Sequence, residues 1–147
     1  MNLKRTITST LLALGVTFGT LVVAAPANAA GGKGVALTRG QALFPNEWIE
    51  RSTSSGIVRL AMQTDGNLVL WLRNASTGAT LKICWATNTS NGYKAYYQED
   101  GNFVLYPRAG GALWASNTVG PNGSTVDMNS NGQLWAGVKA VTGNCKL

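Results

Sequence analysis

Gln98-Glu99-Asp100-Gly101-Asn102-Phe103-Val104-Leu105-Tyr106 decides the fold, because it alternates and because it recurs. The Asp-Gly pair in its middle is a hairpin signal: glycine supplies the positive φ that a two-residue turn needs. The flanking segments then pair as strands, and the period of two sends Asn102, Val104 and Tyr106 to one face and Phe103 and Leu105 to the other. Thirty-five residues earlier stands Gln63-Thr64-Asp65-Gly66-Asn67-Leu68-Val69-Leu70-Trp71, which separates Asn67, Val69 and Trp71 from Leu68 and Leu70 in the same way. Each copy is followed by a second matched element, Cys84-Trp85-Ala86-Thr87-Asn88-Thr89 and Leu113-Trp114-Ala115-Ser116-Asn117-Thr118. Two paired elements in one order make coincidence a poor account.

A worn third copy aligns at Val126-Asp127-Met128-Asn129-Ser130-Asn131-Gly132-Gln133-Leu134-Trp135. Leu134-Trp135-Ala136 can instead be read as a third version of the Trp-Ala element, and the sequence does not choose between the two. Gly, Asn, Ser and Thr punctuate short apolar runs every ten residues or so, and after the first thirty residues no window sustains a 3.6-residue period. The chain reads as all-β: three small antiparallel sheets around a pseudo-threefold axis, each too small to bury its apolar face alone.

The N-terminus reads differently. Met1-Asn2-Leu3-Lys4-Arg5, an apolar stretch over 11–25 and the small-residue site Ala27-Asn28-Ala29 form a three-part secretory signal, so residues 1–29 are expected to be removed and 30–147 to form one exported domain. No second membrane-spanning candidate follows. Once Lys4 and Arg5 leave, ten basic residues face six acidic ones, a balance of +4. Those ten, among them Arg39, Arg59, Lys94 and Arg108, never cluster, so they read as solubility charge and not as a nucleic-acid patch.

The sequence holds no histidine, which removes the usual general base and the usual zinc ligand. With six acidic residues, and Asp65 and Asp100 in separate repeats, a paired-carboxylate glycosidase is disfavoured; no enzyme, metal or cofactor is expected. Cys84 and Cys145, an even pair in an exported domain, read as one disulfide. Asn74-Ala75-Ser76, Asn88-Thr89-Ser90 and Asn122-Gly123-Ser124 are glycosylation sequons, meaningful only in a eukaryotic host.

The outward set of Gln98, Asp100, Asn102, Val104 and Tyr106 offers donors and acceptors to adjacent sugar hydroxyls and an apolar spot to ring C–H groups. Turn chemistry alone asks for neither the Gln before the Asp nor the Val and aromatic after it. At these residues the chain resembles the bulb-type mannose-binding lectins, whose signature is Gln-x-Asp-x-Asn-x-Val-x-Tyr and whose fold is the β-prism II. The second copy matches at every specified position; the first, Gln63, Asp65, Asn67, Val69 and Trp71, departs at its last. The resemblance implies that Gln, Asp and Asn hold mannose hydroxyls, that Tyr bonds the next one and that Val touches the ring. It implies an intact site in the second repeat, an altered one in the first and none in the third, where Asn129, Asn131, Gln133, Trp135 and Gly137 fill the five places. It also implies tryptophans packed near the threefold axis, to which Trp85, Trp114 and, in one alignment, Trp135 are similar. It does not extend to the cysteines.

The expected function is therefore that of a secreted, extracellular lectin of bacterial type for terminal α-mannose on glycans or envelope polysaccharides. The alternative is a lectin-like bacteriocin that docks the same prism on a competitor's surface. Related prisms exchange a C-terminal strand, which points to residues 137–147 and a homodimer.

Overall fold

The computed structural model describes residues 31–147; the signal expected over 1–29 lies outside them. The described residues contain no helix. They form twelve strands, β1 (Ala36–Thr38), β2 (Ala42–Leu43), β3 (Glu47–Thr53), β4 (Gly56–Met62), β5 (Leu68–Arg73), β6 (Thr80–Ala86), β7 (Lys94–Tyr97), β8 (Phe103–Tyr106), β9 (Trp114–Ala115), β10 (Thr125–Met128), β11 (Leu134–Ala136) and β12 (Lys139–Ala140). These make three four-stranded antiparallel sheets, ordered β3-β4-β5-β6, β2-β7-β8-β9 and β1-β10-β11-β12. We call them the first, second and third sheets, after the repeat each contains. The all-β, three-sheet prism expected from the repeat is the observed fold.

The alternation explains why three sheets make one body. Leu60, Leu68 and Leu70 of the first sheet, Tyr97, Phe103 and Leu105 of the second, and Val126, Met128 and Leu134 of the third are fully buried in a single cluster. No sheet of four short strands can close such a face by itself. The repeats account for only three strands per sheet. The fourth comes from the N-terminal segment, dealt out in reverse: β3 joins the first sheet, β2 the second and β1 the third. Each brings one buried apolar residue, Ile49, Leu43 and Leu37 respectively. Because β1 pairs with β10 at Ala36↔Asp127 and Thr38↔Thr125, the start of the domain closes its last sheet.

The Asp-Gly turns contain one residue more than expected. Gln63 N donates to Asn67 O at 2.9 Å and Gly66 N to Gln63 O at 3.2 Å, which closes a three-residue loop with glycine in the left-handed region. Such a loop keeps the right-handed strand twist by placing a bulge at the glycine. The second turn is built alike, by Gln98, Gly101 and Asn102, and so is a third, by Asn129, Gly132 and Gln133. That third turn settles the alignment: Asn129 stands where Gln63 and Gln98 stand, and Trp135 takes the place of Val69 and Val104.

All three turn glycines are buried, at φ of 89°, 84° and 70°. A Cβ on Gly66 would lie 2.5 Å from Gly92 N, one on Gly101 2.5 Å from Gly120 O, and one on Gly132 2.6 Å from Cys145 O. The segment leaving each unit therefore crosses over that unit's turn, and in each case a backbone N–H of the crossing segment donates to the turn. Cys145 then bonds to Cys84 on β6, tying the C-terminus to the edge of the first sheet across 61 residues of chain. The pairing of β12 on β11 and this bridge tie the segment after β11 to both the third and the first sheets.

Two stability measurements follow from this lock. Gly101→Ala combines positive-φ strain with a backbone clash and should lower the unfolding free energy by at least about 2 kcal/mol in a denaturant titration. Replacing both Cys84 and Cys145 by Ser should lower it by about 4 kcal/mol, the loop-closure estimate for a bridge of this span. A midpoint unchanged in either variant would contradict the corresponding part of the lock.

Candidate functional site

On the outward face of the second sheet, Gln98, Asp100, Asn102, Val104 and Tyr106 follow the turn and β8. Gln98 Nε2 donates to Tyr106 Oη at 2.7 Å, so the two ends of the motif are joined side chain to side chain. Asp100 Oδ1 accepts the N–H of Asn102 at 2.9 Å, and its other oxygen points to no ion-pair partner among the described residues. Asn102 Oδ1 accepts from Ser116 Oγ and from Thr118 N, both at 3.2 Å, which leaves its NH2 group free and fixed in orientation. Val104 lies between them but is only 3% exposed, so it offers a small apolar patch. Lys94 Nζ lies 4.7 Å from the ring centre of Tyr96 and 5.8 Å from that of Tyr106, making this end of the row positive.

The hydroxyls that orient Asn102 belong to the second matched element. Ser116 Oγ also accepts from Phe103 N, and Thr118 Oγ1 donates to Gly101 O at 2.8 Å. The first repeat has the same arrangement: Thr87 Oγ1 accepts from Leu68 N and donates to Asn67 Oδ1 at 3.0 Å, while Thr89 Oγ1 donates to Gly66 O at 2.6 Å. Reading the element for its tryptophan missed this. The signal was present in Thr87-Asn88-Thr89 and Ser116-Asn117-Thr118, whose middle asparagines both adopt positive φ. Trp85 and Trp114 pack edge to face at 5.1 Å against the shared core, the structural role expected of them.

Arg39 was also missed, having been counted with the scattered solubility charges. Its guanidinium donates to the carbonyl of Glu99 inside the second turn, to Gly120 O at 2.7 Å and to Gly123 O at 3.0 Å. It fastens the turn that carries Asp100 to the segment crossing over it.

In the first sheet Gln63, Asp65, Asn67, Val69 and Trp71 hold the equivalent places, but the link between the ends of the motif is absent. The Gln63 side chain meets no hydrogen-bond partner among the described residues, and Trp71 Nε1 is buried without one. Gln63, Asp65 and Trp71 line a cleft of about 390 Å³ together with Trp48, Arg59 and Ala61. Arg59 stacks on Trp48 with 4.2 Å to the ring centre and pairs with Glu50 at 2.6 Å.

The strand registers explain how the three faces differ. Equivalent positions run in one row across each sheet: Trp48, Ala61, Val69 and Ala86 in the first, Ala42, Tyr96, Val104 and Ala115 in the second, Ala36, Asp127, Trp135 and Ala140 in the third. Each row carries one large aromatic, on a different strand each time. In the third it is Trp135, standing where the valines stand, and its Nε1 donates to Gln133 Oε1 at 3.2 Å. Gln133 also accepts from Asn129 and donates to Thr142 O, so its oxygen takes two donors and its NH2 one acceptor within the protein. The third face has neither a carboxylate at Asn131 nor a side chain at Gly137.

No family model matches the chain, and no curated protein sequence does. Solved structures do. The chain is similar to the Japanese Marasmius oreades lectin, at 24% identity and a TM-score of 0.59 over 76% of this chain and 91% of that one, a likeness of fold. It is similar to the mannose-specific agglutinin of snowdrop (Galanthus nivalis) bulbs, solved with methyl α-D-mannoside, at 30% identity and a TM-score of 0.54, over 69% of this chain and 86% of that one. It is similar to the native mannose-specific bulb lectin of bluebell (Scilla campanulata), at 26% identity and a TM-score of 0.56 over 69% and 88%. Fold and repeated motif together define a β-prism II protein of the lectin class. Within that class the chain belongs to the bulb-type lectin family, on its identity to the snowdrop protein.

The hydroxyl network has a direct test. Ser116→Ala removes the partner of both Phe103 N and Asn102 Oδ1, and the unfolding free energy should fall by about 1–2 kcal/mol. Hydrogen exchange at the Phe103 amide should accelerate while that at Leu68 stays as it is. Equal protection at both amides in the variant would show that the hydroxyl holds nothing.

Proposed function

We propose that this protein is a secreted, non-catalytic lectin whose second sheet binds a terminal α-mannose unit of a glycan or envelope polysaccharide. The observation that carries this reading is the fixed asparagine. With Oδ1 of Asn102 taken by Ser116 and Thr118, its NH2 can only donate outward, next to the free oxygen of Asp100, which can only accept. Adjacent sugar hydroxyls, each both donor and acceptor, match such a pair. Gln98 and Tyr106, already joined, supply the next two contacts, and Val104 the apolar one. The similar structures named for mannose, from snowdrop and bluebell, support the choice of sugar.

The mechanism is rigid, metal-free recognition. The side chains are held by the protein before the sugar arrives, so little rotamer entropy remains to be lost on binding. Each hydrogen bond replaces one made to water and contributes about 0.5–1.5 kcal/mol net. Four or five of them at an open site give an affinity on the order of millimolar, and tighter capture requires several sites or copies acting together. The N-terminal signal read from the sequence supports export, to where glycans are displayed.

Titration of the mature protein with methyl α-mannoside, followed by NMR, tests this. Saturable shifts at Asn102 and Tyr106 with millimolar affinity are expected, and Asp100→Ala should weaken them at least tenfold. A folded protein whose spectrum does not respond to the mannoside would end the reading.

A further inference from the structure

The three outward faces share one pair of neighbouring positions, and charge is distributed over that pair differently each time. In the first sheet it holds Arg59, opposite Trp71, and Glu50, opposite Arg59. The two are joined at 2.6 Å, so the cation is neutralised on its own face. In the third it holds Thr125 and Thr38, without charge. In the second the cation is present as Lys94, opposite Tyr106, but the acid is not. The place of Glu50, two residues beyond the β2 residue that faces Tyr96, falls to Phe44. Phe44 packs edge to face on Tyr93 at 5.5 Å, and Lys94 forms no ion pair among the described residues.

The unpaired ammonium overhangs the intact motif. Lys94 Nζ lies 4.7 Å from the ring centre of Tyr96, the neighbour of Val104, and 5.8 Å from that of Tyr106. Over two phenol rings it is attracted by both faces and keeps N–H donors to spare. The acidic residues of this unit stand at the other end: Glu99 and Asp100 belong to the turn, and the strand from Asn102 to Tyr106 alone spans about 13 Å. That exceeds the screening length of roughly 8 Å in physiological salt. Arg108, exposed and stacked on Tyr93 at 3.9 Å, adds a cation beyond Tyr106 but shares its cleft with Asp65, so Lys94 is the uncompensated one.

We propose that the second site takes an anionic mannose unit, bearing a phosphate ester or a carboxylate at its exocyclic carbon, and that Lys94 selects the charge. This rests on the reading of that site as a mannose site. On that reading successive hydroxyls are held along the row as far as Tyr106. The next ring carbon carries the exocyclic group and brings it to Lys94. A neutral hydroxyl gains an ordinary hydrogen bond there, whereas an anion gains a charge-assisted one. In the first sheet the same position confers no such preference, because Glu50 already answers Arg59.

The test compares methyl α-mannoside, its 6-phosphate and the corresponding methyl α-mannuronoside on the ¹⁵N-labelled mature protein by NMR titration. At low ionic strength an anionic ligand should bind about threefold more tightly than the neutral one, the worth of an exposed ion pair. Which of the two does so separates phosphate from carboxylate. The difference should shrink in about 0.5 M salt. Lys94→Met should remove it, Lys94→Arg retain it and Lys94→Glu reverse it, with the tryptophan indole signals reporting that each variant is folded. Equal affinity for charged and neutral ligands overturns the proposal. So does a preference that survives in Lys94→Met, or glucose 6-phosphate binding as tightly as the mannoside phosphate. If the neutral mannoside still binds through Asp100 in any of these cases, the anion assignment alone fails. If none of the three mannose ligands binds, the mannose reading fails with it.

Discussion

Three buried glycines at the turn tips meet two demands at once, and the rest of the molecule depends on both. Gly66, Gly101 and Gly132 supply the left-handed residue that closes each three-residue loop, and their missing Cβ atoms admit the chain segment that crosses to the next unit. With a side chain there, the crossing segments at Gly92, Gly120 and Cys145 would be pushed away and the three sheets could not share a core. The motif side chains hang from these loops. Gln63 or Gln98 stands just before the turn, the aspartate inside it and the asparagine just after, so whatever fixes the turn also fixes the polar row. In the second unit Arg39 adds a further tie through the carbonyl of Glu99.

Much of this was legible because the demands are local. Asp-Gly and the alternation around it specify hairpins; their recurrence with a matched second element specifies units that must stack; a cysteine pair specifies a bridge, and Cys84 and Cys145 are bonded. What stayed hidden depends on tertiary register. Leu134-Trp135-Ala136 resembles the Trp-Ala element in composition, and only the pairing of Asn129 with Gln133 shows that Trp135 lies on the outward row. The turn contains one residue more than Asp-Gly suggests, because the closing pair is Gln with Asn. Nor did the sequence of β1, β2 and β3 reveal their reverse distribution, since these strands are two to seven residues long and carry no repeat.

The polar network answers a problem created by the weak energetics of sugar binding. A hydroxyl–amide contact is worth about 1 kcal/mol net, comparable to the entropy lost when a free side chain is immobilised. An open site built from mobile Gln and Asn side chains would gain almost nothing. Ser116 and Thr118 hold the Asn102 amide from behind, and Thr87, itself bonded to Thr89, holds that of Asn67, which removes that cost in advance. The same logic explains the third face. Gln133 is also held, but by Asn129, Thr142 and Trp135 together, and both lone pairs of its oxygen are spent inside the protein.

One backbone therefore yields three surfaces through the placement of a single large aromatic in each row. On the inner strand next to the valine, as Tyr96, it builds a shallow polar face; on the edge strand, as Trp48, it walls a cleft; at the valine position itself, as Trp135, it occupies the site. None of these exchanges touches the inward residues that make the core, because the period of two separates the faces completely. A repeated fold of this kind can retune or extinguish one site without cost to the others, whereas a change at any turn glycine affects both the site and the packing of its neighbour. The second repeat keeps the full motif. The first keeps its turn, its carboxylate and its held asparagine, while the aromatic at the far end is exchanged and Gln63 loses the partner that Gln98 has in Tyr106.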